Sequence, residues 1–392
     1  MKRKIGIVTV ARSDYGVYLP ILRKIVAHNN LELLLYVSGA HLVEKFGNTI
    51  KAIEEDGFPI AAKIPMISKG DTPFDIARSM GVGTQNFAQV FRNHAPDILV
   101  VLGDRYEMHA AAVAAIPYRI PIAHIHGGEL TYGALDDYFR HSLTKFSHLH
   151  FASSEIYANR IKQMGEEPWR VTVSGAPGLD DIMNMPRFSK SELATAYGVN
   201  LSKPTLLVTF HPVTMEYEYT KKYIINLLNA LAHFSEYHVV FTYPNEDAGS
   251  AIIIEKIESY ARNHRNAYIV KNFGHKGYIS MMGHAAAMVG NSSSGIVEAA
   301  SLKLPVVNIG TREEGRVRSA NVIDVGYSAE RIKAGIEKAI SQSFQSSLQN
   351  LVNSYGDGKS SERIVAVLAE VKLEGLIPKR FHDILRTSPS PV

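Results

Sequence analysis

The chain contains no cysteine. Its absence excludes disulfide bridges, thiolate metal sites and cysteine nucleophiles, and it fits a reducing compartment. The sequence also lacks an apolar run long enough to cross a bilayer. The basic start, Met1–Lys4, is followed by too few apolar residues for a signal-peptide core. We therefore expect a cytoplasmic protein without a membrane partner.

An excess of charge of one sign is lacking as well. The 42 Lys and Arg against 38 Asp and Glu give a formal net charge of +4. There is no basic cluster with interleaved aromatic residues, so we expect no nucleic-acid partner, although a small anionic ligand is compatible. The hydrophobic fraction of 46% and the charged fraction of 20% are typical of a globular protein. A length of 392 residues predicts two domains.

Familiar nucleotide and hydrolase motifs are missing. Gly290 and Gly295 have the glycine spacing of a P-loop, but Ile296 stands where a lysine is required. Gly81-Val82-Gly83 lacks the third glycine of a dinucleotide fingerprint and does not follow a predicted strand. No Gly-x-Ser-x-Gly elbow occurs. These absences count against ATPase chemistry and nicotinamide-linked oxidoreduction.

Short β-branched runs that alternate with helical patterns fill both halves of the chain, which predicts an α/β fold with parallel sheets. The predicted strands are Ile5–Val10, Leu31–Val37, Ile98–Leu102, Ile120–Ile125, Leu149–Ala152, Thr205–Phe210, His238–Tyr243, Ala267–Val270, Ala287–Val289 and Val306–Ile309. The predicted helices are Val17–Ala27, Tyr106–Ala115, Asp137–Phe146, Glu155–Met164, Thr220–Phe234, Ser250–Asn263, Tyr278–His284 and Gly295–Ser301.

A polar, proline-punctuated stretch at Gly175–Leu201 interrupts this alternation and suits a linker. The pattern then restarts. We therefore predict two Rossmann-like domains that face a cleft, with residues 1–178 in the first and 179–360 in the second.

The densest group of ionisable residues follows a predicted buried strand of the first half. It begins with His124-Ile125-His126-Gly127-Gly128-Glu129 and continues through Asp136-Asp137-Tyr138-Phe139-Arg140-His141. Ligands of open α/β sheets bind beyond the carboxyl ends of the strands. So many acids and bases at such a point favour proton-transfer chemistry over packing.

Two other strand ends in the first half are polar. Arg12-Ser13-Asp14 follows the first strand, where a helix start and an arginine attract an anion, although Ser13 or Asp14 is also a good helix cap. Gly103-Asp104-Arg105 follows the apolar run Ile98–Leu102. Here a capping box completed by Glu107 competes nearly evenly with a reactive Asp104.

Metal binding is the alternative for the histidines. His124 and His126 are two residues apart on a predicted strand and would share one face, and His148 and His150 repeat that spacing. A catalytic metal site needs a third ligand at close geometry, and no compact motif supplies one. We expect no metal, and we expect one histidine of each pair to be a satisfied core residue.

In the second half, two strand ends stand out. His211 follows one strand, and Gly290-Asn291-Ser292-Ser293-Ser294-Gly295 follows another and opens a helix that carries Glu298. Small residues, hydroxyls and a helix start favour phosphate over a plain capped turn. Arg312, with Arg316 and Arg318, could pair with a diphosphate.

Seven motifs in one order resemble the hydrolysing UDP-N-acetylglucosamine 2-epimerases of sialic acid biosynthesis. They are Arg12-Ser13-Asp14-Tyr15, Gly103-Asp104-Arg105, His126-Gly127-Gly128-Glu129, Asp136-Asp137 with Arg140-His141, His211-Pro212-Val213-Thr214, Asn291-Ser292-Ser293-Ser294-Gly295 with Glu298, and Gly310-Thr311-Arg312. The resemblance implies the glycosyltransferase-B architecture. It also implies that a carboxy-terminal helix, 361–385, completes the first domain, and that the second domain binds UDP.

The resemblance further implies site residues. The catalytic candidates are Asp104, His126, Glu129, Asp136, Arg140 and His211. The candidates for binding the UDP-sugar are Arg12, Asp14, Arg105, His211, Asn245, Gly290, Asn291, Ser292, Ser293, Gly295, Glu298 and Arg312. Many relatives carry glutamate at the position of His126, so the acid/base role here could rest with His126, shift to Glu129, or pass to Asp104 or Asp136. Asp104 and Asp136 are expected to be essential, and the division between His126 and Glu129 is open.

The implied reaction converts UDP-N-acetylglucosamine and water to N-acetylmannosamine and UDP through a glycal, with no cofactor. UDP-N,N'-diacetylbacillosamine, the substrate of the legionaminic acid route, is the alternative. A glycosyltransferase and a non-catalytic sugar-nucleotide sensor are more distant ones. The resemblance also predicts a homodimer or homotetramer.

Overall fold

The computed structural model describes residues 2–44, 49–68, 70, 72–131, 135–244 and 249–384. The chain divides into two compact units. The first contains the described chain up to Leu130, its continuation to Asp181, and the chain from Tyr355 onward. The second contains Ile182–Ser354 together with Thr131.

The first unit is built on a seven-stranded parallel sheet in the order β3-β2-β1-β4-β5-β6-β7. Its strands are β1 (Arg3–Thr9), β2 (Leu31–Ser38), β3 (Ile60–Ile64), β4 (Ile98–Leu102), β5 (Ile122–Ile125), β6 (Leu149–Ala152) and β7 (Val171–Val173). Its helices are α1 (Arg12–Ala27), α2 (Ile50–Glu55), α3 (Pro73–Asn93), α4 (Tyr106–Ala115), α5 (Asp136–Phe146), α6 (Glu155–Gln163), α7 (Gly178–Asn184), which runs on past Asp181, and α15 (Ser360–Glu370). Strands β1 and β4 are buried along nearly their whole length because helices cover both faces of a parallel sheet.

The carboxy-terminal part of the chain packs back on the first unit. The Arg3 guanidinium donates hydrogen bonds to the carbonyls of Leu368 and Ala369, 2.5 and 2.9 Å away, at the end of α15. The prediction of a helix over 361–385 is wrong in its length, because α15 ends at Glu370. Beyond it, Gly375 has a positive φ of 84° and Pro378 has no N–H to donate, so an α-helix cannot continue.

The second unit contains a six-stranded parallel sheet in the order β10-β9-β8-β11-β12-β13. Its strands are β8 (Thr205–Thr209), β9 (His238–Thr242), β10 (Ala267–Val270), β11 (Ala287–Gly290), β12 (Val306–Ile309) and β13 (Val322–Val325). Its helices are α8 (Lys190–Tyr197), α9 (Thr220–Leu231), α10 (Ser250–Asn263), α11 (Gly274–His284), α12 (Ser293–Val297), α13 (Ala329–Ile340) and α14 (Gln342–Ser347). The predicted α/β class with two Rossmann-like domains is confirmed. Among the described residues, no helix combines the length and apolar character that crossing a bilayer requires.

The polar stretch predicted as a linker, Gly175–Leu201, is not extended chain, because it contains α7 and α8. Its polar residues form helix ends: Ser189 accepts from the backbone N–H of Glu192, whose carboxylate accepts from Ser189 in return. The carboxylate of Asp180 also accepts from two backbone N–H groups at the start of α15.

Both sheets have the strand order in which nucleotides bind at a switch point, where neighbouring strands send their helices to opposite faces. In the first unit that point lies between β1 and β4, and in the second it lies between β8 and β11. The candidate functional residues follow the carboxyl ends of these strands and of their neighbours β5 and β12.

Candidate active site

In the first unit, the predicted residues follow three adjacent strands. Arg12–Asp14 comes after β1, Asp104-Arg105 after β4 and His126–Glu129 after β5, and the sheet places β4 between β1 and β5. The carboxyl ends of parallel strands meet at one edge of the sheet, so the fold brings these three loops to one side.

Asp104 is held by a buried arginine. Arg140 lies on α5 and is 3% exposed. Its Nη2 donates to Oδ2 of Asp104, and its Nη1 donates to Oδ1 of Asp137 at 2.8 Å. A buried guanidinium is tolerated when carboxylates compensate its charge. The two acids and Arg140 therefore orient one another.

The capping alternative for Asp104 is wrong. Helix α4 begins at Tyr106 with Arg105 as its N-cap, and no side chain caps it. Glu107 turns into the protein instead, where burial raises the pKa of its carboxyl against the lowering effect of Arg105. Asp104 thus stands one residue before the cap, and its carboxylate bonds Arg140.

His126 and Glu129 form a close pair in the loop after β5. Nδ1 of His126 lies 2.6 Å from Oε1 of Glu129, and the hydroxyl of Ser153 donates to the same oxygen at 2.7 Å. Glu129 is buried, whereas the His126 side chain is partly exposed. The arrangement couples an accessible imidazole to a fixed carboxylate.

His124 and His126 do not share a face, so that prediction is wrong. Strand β5 ends at Ile125, and His126 takes a positive φ of 63°, which breaks the alternation of side chains. His124 is fully buried, and its Nε2–H donates to the carbonyl of Gly103 at 2.8 Å. Burial lowers the pKa of His124 to about 3, so it is neutral at pH 7 and anchors the loop that carries Asp104.

The second pair of histidines is also structural. Nδ1 of His148 accepts from the backbone N–H of Ile122 at 3.1 Å, and Nε2 of buried His150 lies 3.1 Å from the carboxylate of Glu166. The prediction that one histidine of each pair is a satisfied core residue is confirmed for His124, whose two ring nitrogens are both hydrogen-bonded. In the second pair, His150 is fully buried, but its Nδ1 has no hydrogen-bond partner among the described residues. Within the described part of the chain, no three His, Asp or Glu side chains are grouped to hold a metal ion.

Asp14 is turned inward. Its Oδ2 accepts from the hydroxyl of Thr9 and from the backbone N–H of Val10, both at 2.8 Å, and the Thr9 hydroxyl lies 3.0 Å from Nε2 of His41. Asp14 is 3% exposed. It does not cap α1, whose N-cap is Ala11 without a side-chain bond, so the capping prediction is wrong. Through these hydrogen bonds Asp14 holds the end of β1 in place.

Arg12 and Arg105 supply the exposed positive charges at this edge. Burial raises the pKa of Asp136, the first residue of α5, while Arg105 lowers it. Burial also raises the pKa of Asp14, and Arg105 also lowers it. The positive charge of Arg105 therefore favours the ionised forms of Asp14 and Asp136 and partly offsets the effect of their burial.

The second unit contains a cavity of about 490 Å³ at the carboxyl ends of its strands. It is lined by Thr209, His211, Thr242, Tyr243, Pro244, Lys271, Asn272, Phe273, Gly274, His275, Tyr278, Ser292, Ser293, Ser294 and Arg312. Hydroxyls, two cations and aromatic rings suit a ligand that carries both phosphate and a flat base. The structure thus brings the predicted His211, Ser292, Ser293 and Arg312 into one cavity.

Asn291 is directed at the backbone of His211. Its side-chain oxygen accepts from the N–H of His211 at 2.7 Å, and its amide nitrogen donates to the carbonyl of His211 at 2.9 Å. Asn291 is fully buried. Burial, with a smaller effect of Arg312, lowers the pKa of His211 to about 4, so His211 is neutral at pH 7.

Glycine is required at Gly290. Its φ is 142°, and a Cβ there would overlap the carbonyl oxygen of Thr209. The glycine thus allows β11 to lie close to β8. On the other side of β11, Arg312 follows β12, and its guanidinium donates to the carbonyl of Asn291 at 3.0 Å and to Glu313 at 2.6 Å. Gly295 also packs tightly, because a Cβ would meet the side chain of Val306 at 2.9 Å.

Four other predicted residues are placed differently. Glu298 ends α12 and is not among the described residues that line the cavity, although its charge adds to the burial that raises the pKa of Tyr278 to about 12. Asn245 lies outside the described residues. Arg316 and Arg318 pair with Glu313 and Asp324 at 2.9 and 3.2 Å.

The cavity wall from Lys271 to His275, together with Tyr278, was missed from the sequence. Polar Lys271-Asn272 follows β10 directly, which is the same strand-end signal that identified His211 and Ser292. The stretch Lys271–His275 lacks a cluster of serines or glycines, so its sequence does not stand out from an ordinary turn.

Comparisons with known proteins find similarity to 2-epimerases over nearly the whole chain. The family described as UDP-N-acetylglucosamine 2-epimerase matches residues 23–369. A GDP/UDP-N,N'-diacetylbacillosamine 2-epimerase (hydrolyzing) from Campylobacter jejuni is 38% identical, covering 98% of this chain and 100% of that protein. A UDP-N,N'-diacetylbacillosamine 2-epimerase (hydrolyzing) from Legionella pneumophila is 36% identical, covering 96% and 98%.

The fold has solved counterparts. The structure of a UDP-GlcNAc 2-epimerase from Neisseria meningitidis bound to UDP-GlcNAc superimposes with a TM-score of 0.79 over 93% of this chain and 99% of that one. Its sequence identity of 20% makes this a likeness of fold.

Proposed function

Since the chain belongs to the UDP-N-acetylglucosamine 2-epimerase family, we propose that it hydrolyses UDP-N,N'-diacetylbacillosamine to UDP and the 2-epimer of the free diacetamido sugar. Its relatives of 36 and 38% identity are named as hydrolysing 2-epimerases, so an enzyme of that kind is the premise. The identity of the sugar is the part that we propose.

The sequence favoured UDP-N-acetylglucosamine, and the relatives favour the alternative. The two relatives described above, 38% and 36% identical over nearly the full length, are named for diacetylbacillosamine. The two sugars differ at C4 and C6, and the catalytic motifs address C1 and C2. The candidates for contacts at C4 and C6 are Thr131-Tyr132-Gly133, of which 132 and 133 lie outside the described residues, and Met215–Tyr217.

We assign UDP to the cavity of the second unit. Arg312 and Lys271 offer the diphosphate two positive charges, and Ser292, with Ser293, offers hydroxyl donors. The ring of Phe273 offers the base an aromatic surface. Loss of UDP from C1 requires that its developing negative charge be stabilised, and these groups supply that stabilisation.

The groups of the first unit suit chemistry at C2. A hydrogen beside an acetamido group is not acidic, so direct deprotonation is ruled out. As UDP departs, positive charge develops at C1, which a carboxylate stabilises while a base removes the C2 proton. The glycal that results then gains water at C1 and a proton at the opposite face of C2. Asp104 is the proposed carboxylate, and Arg12 is a proposed cation for the diphosphate.

The observation that carries the proposal is the set of residues that follow β4 and β5, two adjacent strands. Asp104 follows β4, and His126 and Glu129 follow β5. Buried Arg140 holds the carboxylate of Asp104. A binding module would not need a fixed carboxylate beside an accessible imidazole. The oligomeric state and the cytoplasmic location stay predictions of the sequence.

The test is substrate choice. The protein is incubated separately with UDP-N,N'-diacetylbacillosamine, UDP-N-acetylglucosamine and, since one relative is named for both nucleotides, GDP-N,N'-diacetylbacillosamine. The freed sugar is identified by NMR. We expect kcat/KM for the UDP-diacetamido sugar to exceed that for UDP-N-acetylglucosamine at least about tenfold, a difference of roughly 1.4 kcal/mol. Equal or reversed values would contradict the choice of sugar.

A further inference from the structure

We propose that His126 and Glu129 act as a dyad in which Nε2 of His126 removes the C2 proton and Glu129 is the positioning residue. This inference rests on the proposed function, because it assigns one step of that reaction. It also gives different roles to His126 and Glu129, which the sequence does not distinguish.

The hydrogen bonds determine which ring nitrogen is free. Oε1 of Glu129 lies 2.6 Å from Nδ1 of His126 and also accepts from the Ser153 hydroxyl at 2.7 Å. A carboxylate can only accept, so Nδ1 carries the proton. In the neutral imidazole, Nε2 then carries the lone pair, which is the form a general base needs.

Burial separates the two roles. Glu129 is 6% exposed, and its acceptor oxygen is occupied by donors from two sides. The His126 side chain retains 19% exposure, about twice that of the Glu129 side chain at 9%. A group that must meet a sugar has to be accessible, and the partner that holds it need not be.

The backbone is bent to present this imidazole. His126 has a φ of 63°, a conformation that a non-glycine residue keeps only where its surroundings enforce it. Here its N–H donates to the carbonyl of Phe151 at 3.1 Å, and the Arg160 guanidinium donates to the carbonyl of Gly128. Gly128 has a φ of 77°, and a Cβ there would overlap the carbonyl of Tyr157. The loop is therefore fixed in a conformation that turns His126 away from the path of β5.

His124 cannot replace His126. It is fully buried, and its Nε2–H is used by the carbonyl of Gly103. Nδ1 of His126 contacts Glu129, and His124 is neutral at pH 7.

The step balances. The C2 proton passes to Nε2, the electron pair of the C2–H bond forms the C1–C2 double bond, and the pair of the C1–O bond leaves with UDP. The imidazole becomes imidazolium, and Glu129 stabilises that charge as it forms. Hydration of the glycal then delivers a proton to the other face of C2, so it does not require His126 as the donor.

The experiment separates elimination from hydration. H126Q, E129Q and S153A are compared with the exposed control H233Q, first with the UDP-sugar that the wild-type protein turns over and then with the corresponding glycal supplied together with UDP. We expect H126Q to lose about 10³-fold in kcat on the UDP-sugar, while hydration of the supplied glycal falls less than about tenfold. H233Q is expected to match the wild type.

Glu129 is tested by its separate effects on kcat and KM. E129Q should lose about 10²-fold in kcat with little change in KM, because the charge that forms on the imidazole during the step loses the carboxylate that stabilises it. E129D, which keeps a carboxylate, should recover part of that loss. S153A should lose less than about tenfold. Circular dichroism and UDP binding confirm folding. Should E129Q not fold, E129D and H126Q carry the test.

The inference is overturned if H126Q consumes UDP-sugar at the wild-type rate, if it accumulates glycal, or if its glycal hydration is lost together with elimination. A wild-type kcat in E129Q, or a loss that appears in KM alone, overturns the role of Glu129. If the wild-type protein releases UDP from none of the nucleotide sugars, it is the proposed function that has failed.

Discussion

The side-chain amide of Asn291 is paired with the backbone of His211 through two hydrogen bonds of 2.7 and 2.9 Å. The pair joins the loops after β11 and β8, the two strands at the switch point of the second sheet. Asn291, which the sequence nominated as a ligand contact, thus shapes the cavity indirectly by fixing His211.

Replacing Asn291 with alanine is expected to destabilise the protein by about 2–3 kcal/mol, because a buried N–H and a buried carbonyl lose their partners. UDP affinity should fall with it as the His211 loop loosens. Urea denaturation and calorimetric titration with UDP measure the two effects. The exposed asparagine Asn263, replaced by alanine, is the control and should cost less than about 1 kcal/mol. Unchanged stability in N291A would contradict the role given to the pair.

Asp104→Asn should abolish turnover while UDP binding stays within about threefold of the wild type. The amide cannot stabilise positive charge at C1, and the residues assigned to UDP belong to the second unit. D324N is the matched control, since Asp324 pairs with Arg318 on the surface. UDP release under steady-state conditions and calorimetric UDP binding are the measurements. Near-normal turnover would remove Asp104 from the mechanism.

Arg312→Ala is expected to weaken UDP binding by roughly 10- to 100-fold. A charge-assisted hydrogen bond contributes about 1.5–3 kcal/mol, which corresponds to that range. R318A, whose guanidinium pairs with Asp324 and which does not line the cavity, should bind UDP like the wild type. If both variants keep the wild-type Kd, the diphosphate is not bound at Arg312.

Much of the fold was predictable because buried parallel strands have continuous apolar sequences. Every predicted strand forms. The edge strands β3, β7 and β13 were missed because they are only partly buried, so their side chains lack a continuous apolar run. The long helix α3 was missed as well, since Gly81 and Gly83 weaken its helical pattern.

The sequence predicted which loops form the candidate site, but not which side chains in it bond one another. Polar residues after buried strands identify which loops carry function, since the sheet brings those ends together. The sequence does not reveal which partner each side chain bonds. Asp14 turns toward Thr9 and Asn291 toward His211, and these choices depend on contacts between loops that are remote in sequence.

Buried neutral histidines make stability depend on pH. Burial lowers the pKa of His148 to about 4, against roughly 6.5 in an unfolded chain. The unfolded state therefore binds the proton first, and the free energy of unfolding decreases as the pH falls from about 6.5 to 4. His41, His124 and His211 act in the same direction, and the raised pKa of Asp14 opposes them.

His148→Asn is expected to reduce that dependence. The asparagine oxygen can accept from the N–H of Ile122 as Nδ1 does, but it does not titrate. The slope of unfolding free energy against pH between about 4 and 6.5 should fall by up to about 1.4 kcal/mol per pH unit. H233N, at an exposed histidine, should leave the slope unchanged. An identical slope in H148N would contradict a part-buried, neutral His148.

The central claim, elimination across C1 and C2 followed by hydration, is tested most directly in heavy water. The protein is incubated with UDP-N,N'-diacetylbacillosamine in D₂O, and the released sugar is examined by NMR and mass spectrometry. We predict a 2-epimerised sugar that carries one deuterium at C2. Release of a sugar with its original hydrogen at C2 would contradict the account.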